Sequence, residues 1–117
     1  MKEVVFLVQS APHGTAAIPE SHRSCLGLAT LPFEMRYVLE GDAVWALQTG
    51  QRPEAIGSTD TLELITQLAD LDVALYVDEE ALAARGMAAA DLGPEFTTVT
   101  REQIADFIAS ADAVLTY

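Results

Sequence analysis

Val4-Val5-Phe6-Leu7-Val8 is an unbroken run of β-branched and aromatic residues, the pattern of a strand buried on both faces. It ends in Gln9-Ser10-Ala11-Pro12-His13-Gly14-Thr15, a loop dense in residues that break regular structure. A helix is predicted next, from about Ala16 or Pro19 to Thr30, because proline suits a first helical turn and Pro32 prevents continuation. From Glu34 to Leu39 the period shortens to two, with Met35, Tyr37 and Leu39 alternating against Glu34 and Arg36, as in a second strand. Gly41-Asp42 opens a short helix over Ala43 to Gln48 that Gly50 closes, and Gln51 to Ser58, with Pro53 and Gly57, reads as a loop. Asp60 and Glu63 have capping-box spacing, ahead of a helix whose Leu62, Ile65, Leu68 and Ala69 share one face. Asp72 to Val77 is a third strand, Glu79 to Arg85 a helix with Gly86 just past its end, and Phe96 to Val99 a short fourth strand. Thr100 with Gln103 forms another capping box, and Ile104, Phe107, Ile108 and Ala111 then follow helical spacing. Ala113-Val114-Leu115 is a fifth strand.

Strands that alternate with helices imply a mostly parallel five-stranded sheet in a three-layer α/β/α arrangement, with the first strand central. At 117 residues the chain fits a single domain able to build a core without disulfides or metal. Half of the residues are hydrophobic, which excludes a disordered chain. No apolar run approaches the ~20 residues of a membrane span. The short run after Met1-Lys2-Glu3 reads as a buried strand of a cytoplasmic protein, not as a signal peptide. The net charge of −12 comes with six scattered cations, Lys2, Arg23, Arg36, Arg52, Arg85 and Arg101. No basic stripe is available to neutralise phosphates, so direct nucleic-acid binding is not expected. The acidity serves solubility or steers the chain to a basic partner.

Ligands collect outside the carboxyl ends of parallel strands, so the loops after the first three strands define a candidate crevice. They contribute His13 and Gly14, then Gly41 and Asp42, then Asp78 and Glu79. His13 could act as a base or anion contact, or simply bond to nearby backbone. Gly14 lets backbone come close to a ligand or another subunit. Asp78 and Asp42 each also read as helix N-caps; no spacing shows that the two carboxylates converge as an acid/base pair. Cys25 lies about two turns into the first helix, with Arg23 and His22 expected on other faces, and reads as a small buried hydrophobe more readily than as a reactive thiol. No histidine and acid spacing suits a metal, and neither a phosphate loop nor a dinucleotide fingerprint is present, so no cofactor is expected. Trp45 and Met35 are either interface or core.

Four stretches together resemble the DsrE/DsrF family of sulfur-relay proteins, most closely its DsrF- and TusC-type subunits. They are Ser10-Ala11-Pro12-His13-Gly14-Thr15; Gly41-Asp42-Ala43-Val44 with Gly50-Gln51; Tyr76-Val77-Asp78 through Leu82 to Arg85-Gly86; and Ala111-Asp112-Ala113-Val114-Leu115-Thr116-Tyr117. The resemblance implies a three-layer α/β fold and a cytoplasmic hexamer, commonly of three different small subunits in two copies each. The implied partners are DsrE/TusD-like and DsrH/TusB-like chains, or copies of the chain itself as a trimer or hexamer. Such complexes pass persulfide sulfur toward tRNA 2-thiouridine or within sulfur oxidation. In the sulfur-carrying subunits an active cysteine stands eight residues before the glycine that ends the following helix, and counting back from Gly86 that position is Asp78. DsrF-type subunits also lack this cysteine. The expectation is a non-catalytic assembly subunit; the alternatives are a homo-oligomer that binds a small molecule and a sulfurtransferase that uses Cys25.

Overall fold

The computed structural model describes residues 1–48 and 60–117; the expected loop with Pro53 and Gly57, and the closing Gly50, lie outside them. Five strands form one parallel sheet: β1 (Lys2–Val8), β2 (Phe33–Leu39), β3 (Ala74–Asp78), β4 (Phe96–Val99) and β5 (Ala113–Thr116), in the order β4-β3-β2-β1-β5. The helices are α1 (Ala17–Leu28), α2 (Thr61–Ala69), α3 (Glu79–Ala84) and α4 (Arg101–Ser110). Strand β1 is interior, as its pattern requires, with β2 on one side and β5 on the other; the middle position falls to β2. All of Val4 to Val8 is buried. The expected α-helix at Ala43 to Gln48 is instead a 3-10 helix, Gly41–Leu47.

Right-handed crossovers decide which face each helix covers. The chain steps one way from β1 to β4, which places α1, α2 and α3 on one face, and the return from β4 to β5 places α4 on the other. The packing agrees. Phe6, Ile18, Tyr37, Ile65, Leu68 and Leu82 belong to the larger core, while Val5, Leu7, Val38, Val99 and Ile104 form the smaller one. Complete burial of a side chain such as Phe6 is worth about 1.5–3 kcal/mol. A single helix cannot cover its whole face. Ile108, expected on the inner stripe of α4, is 38% exposed, and Val114 beside it on the edge strand is 36% exposed.

The larger core holds one polar chain. The Ser21 hydroxyl donates to the Ile18 carbonyl at 3.0 Å, so the Tyr37 hydroxyl donates to Ser21 Oγ at 2.6 Å. Burial raises the Tyr37 hydroxyl pKa well above its ordinary value. Met35 belongs to this core, and Trp45 is half-buried. His22 was expected on a different face from Cys25, but the two lie three residues apart on a helix and share its buried side with Ile18 and Ser21. On the opposite face Arg36 is half-buried: its guanidinium lies 4.9 Å from the Phe107 ring centroid and donates to Glu3 at 3.2 Å.

The helix ends follow local chemistry. Thr100 and Gln103 form a complete capping box, and Asp60 accepts from the Glu63 amide at 3.2 Å. Gly86, at φ +68°, ends α3: its amide donates to the Ala83 carbonyl and the Met87 amide to the Leu82 carbonyl. Asp72 does the same for α2 at φ +61°, with bonds from Asp72 to Ala69 and from Val73 to Leu68. A Cβ at Gly86 would meet nothing within 4 Å, so alanine there suffers only backbone strain. Gly86→Ala is expected to lower the unfolding free energy by about 1–2 kcal/mol. Gly27→Ala, in an exposed and equally open position within α1, is expected to raise it by about 0.5–1 kcal/mol. Urea unfolding midpoints of the two variants should therefore move in opposite directions.

Candidate functional site

In an open parallel sheet the crevice forms where neighbouring strands send their helices to opposite faces. Here those strands are β3, followed by α3, and β4, followed by α4. Asp78 is the last residue of β3 and lies at that point. Arg101, the first residue of α4, lies opposite. Gln9 follows β1, and Glu40 and Gly41 follow β2. These five residues line a cleft of about 360 Å³.

Asp78 is 2% exposed and caps α3, with Oδ1 accepting from the Glu80 amide at 3.1 Å. Its Oδ2 lies 3.5 Å from Arg101 Nε, and the same nitrogen lies 3.0 Å from Glu80 Oε2. The Gln9 side-chain amide donates to the Glu40 carboxylate. Gly41 adopts φ +55°, and a Cβ there would stand 3.3 Å from the Gln9 carbonyl, so this turn needs glycine twice over. One buried carboxylate, one partly buried carboxylate, an amide and an exposed guanidinium therefore converge at the sheet edge.

Of the residues expected from sequence, Gly41 and Asp78 line this cleft; Glu79 is exposed and outside its lining. His13 is half-buried and Gly14 exposed at φ +81°, both on the β1–α1 loop and outside the cleft lining. Asp42 is not an N-cap. Glu40 holds that position for the 3-10 helix, and Asp42 accepts from Arg85 Nη2 at 2.8 Å and from Nε at 3.2 Å. That pair ties the 3-10 helix to the end of α3, and it occupies Asp42 away from Asp78. Arg101, Glu40 and Gln9 were not among the crevice residues expected from the sequence. Extending the strand-end rule to the fourth strand points to Arg101, because Thr100-Arg101 follows Val99 directly. Among the described residues no group of three or more histidine, cysteine or acidic side chains is placed to hold a metal ion.

Cys25 is fully buried on α1, with Sγ 3.9 Å from Met35 Sδ. Burial pushes its thiol up from 9.0 to about 11. The proton is therefore held more tightly in the folded chain than in the unfolded one. The resulting stability is complete below the lower value and is lost as pH climbs through the upper. The raised Tyr37 hydroxyl acts with the same sign. Urea midpoints are accordingly expected to fall as pH rises from 9.0 to about 11, and Cys25→Ala should make that fall shallower. In native protein at pH 8 a thiol reagent should label Cys25 only at the rate of opening, with immediate labelling in denaturant.

The model of the DsrE/DsrF-like family matches residues 2–117. A protein named TusC homolog from Vibrio parahaemolyticus is 30% identical over 118 residues, covering 100% of both chains. Protein TusC of Escherichia coli is 31% identical over 88 residues, 74% of each chain. In structure, the chain is similar to the ychN protein from E. coli, with TM-score 0.87 at 24% identity over the whole of both chains. A protein of unknown function from Methanobacterium thermoautotrophicum has TM-score 0.78 at 16% identity, again over both whole chains. At those identities the two structures bear on the fold alone, and both support the three-layer α/β/α arrangement. No helix among the described residues is long and apolar enough to cross a membrane.

Proposed function

The chain belongs to the DsrE/DsrF-like family, and from that premise we propose that it is a non-catalytic subunit of a sulfur-relay complex. In this reading it assembles in the cytoplasm with DsrE/TusD-like and DsrH/TusB-like small subunits, or with copies of itself. Its work is to complete and shape a neighbour's site while persulfide sulfur passes toward tRNA 2-thiolation or through sulfur oxidation. Similarity to proteins named TusC supports the DsrF/TusC type of subunit.

The observation that carries the reading is the carboxylate of Asp78 at the mouth of β3. The resemblance puts the active cysteine of sulfur-carrying relatives at this position. Persulfide exchange proceeds by thiolate attack on sulfur, and a carboxylate oxygen is a poor nucleophile for that step. The carboxylate is also engaged, since Oδ1 caps α3. Cys25 is a weak substitute. A persulfide must be loaded and unloaded by other proteins, which requires access and a thiolate near neutral pH. This thiol is buried in the core and titrates at about 11.

Two measurements test the reading. The tagged chain, purified from its own organism, is expected to bring down homologous small subunits, at least one with a cysteine at the position matching Asp78. Incubated with a cysteine desulfurase and cysteine, the isolated chain is expected to gain no sulfur by intact-mass measurement, whereas that partner does. Rapid gain of one sulfur on Cys25, followed by its transfer to an acceptor, would establish the sulfurtransferase alternative and refute the assembly role.

A further inference from the structure

Asp78 is undersupplied with donors. It is 2% exposed, yet its only hydrogen bond among the described residues is the capping bond from the Glu80 amide to Oδ1. A buried carboxylate demands a close cation or several donors. Oδ2 has only Arg101 Nε at 3.5 Å, beyond good hydrogen-bond distance. That nitrogen is closer to Glu80, at 3.0 Å, and the Arg101 side chain is 68% exposed. The present counter-ion is thus long, solvated and shared.

The surroundings are short of cations as well. Glu40 and Asp78 line the cleft and Glu80 stands at its rim, against the single guanidinium of Arg101. Arg85, the other nearby cation, is taken by Asp42. Exposed Glu79 and Glu102, in the first turns of α3 and α4, extend the negative potential outward. The whole chain carries −12. A bare metal ion does not fit, because no suitable ligand group is assembled among the described residues. A cation that carries its own N–H donors does, and the cleft of about 360 Å³ has room for one side chain.

We propose that the cleft at the carboxyl ends of β1 to β4 seats an arginine or lysine side chain from the surface of a partner protein. Asp78 Oδ2 is its counter-ion, and Arg101 turns outward to remain with Glu80. The acidic rim steers the partner's basic surface and sets its orientation. The proposal rests on the sulfur-relay reading only for the partner's being another subunit of the complex; the docking chemistry belongs to this chain alone.

The probe is the peptide N-acetyl-Gly-Arg-Gly-amide, followed by backbone amide chemical shifts of the whole chain. Saturable shifts are expected at Gly41, Glu80 and Arg101, and they should weaken as salt is raised. The same peptide with citrulline in place of arginine, and the Asp78→Asn variant with the arginine peptide, should each bind at least about tenfold more weakly. Asparagine keeps the helix cap, so that variant should fold; Glu40→Gln serves if it does not. Shifts scattered over the acidic surface, an equal response to citrulline, or binding indifferent to Asp78→Asn would each overturn the proposal. So would spermidine binding as tightly at the same amides, because the site would then serve a free small cation. Peptide binding without co-purifying homologous subunits sinks the sulfur-relay reading and leaves this one standing; homologous subunits without peptide binding do the reverse.

Discussion

Five parallel strands need cover on both faces, and right-handed crossovers divide the helices three to one between those faces. Most other features follow from that division. It opens a crevice where α3 and α4 depart in opposite directions, and it puts Asp78 and Arg101 on either side of it. It also leaves one face thinly covered, with Ile108 and Val114 partly in water. The doubly covered strand β1 and the polar cleft are two results of one topology.

The buried groups differ in how their polarity is satisfied. Tyr37 and Ser21 hand their hydrogen bonds inward to the Ile18 carbonyl, so the larger core stays closed around them. Arg36 is satisfied by Glu3 and by the face of Phe107 beneath α4. Asp78, 2% exposed, accepts one capping bond and reaches a cation only at 3.5 Å. Structural carboxylates are usually bonded more fully than this. The shortfall lies at the edge where ligands gather in such sheets.

A carboxylate ends β3, and the thiol of Cys25 is enclosed under α1. Membership in the DsrE/DsrF-like family is compatible with these two features if the unit of function is an assembly, as proposed. In the proposed reading the chain contributes shape and charge, and the chemistry belongs to a neighbour. Its acidity has a role in this picture, because a surface of one sign favours partners of the other.

Much of this was legible in the chain itself. The uniform run Val4 to Val8 required a strand wet on neither face, and the alternation of Met35, Tyr37 and Leu39 against Glu34 and Arg36 separated the two faces of β2. Thr100-Gln103 and Gly86 marked helix ends within a residue, because caps and left-handed turns are decided by neighbours in sequence. Asp78 could be picked out because strand ends obey a positional rule. Its partners could not. Arg101 and Glu40 meet Asp78 only through strand order, and Asp42 is drawn away by Arg85 across 43 residues. Short-range chemistry sets the elements and their ends; which charges face one another depends on distances through space, and those arise only when the sheet is assembled.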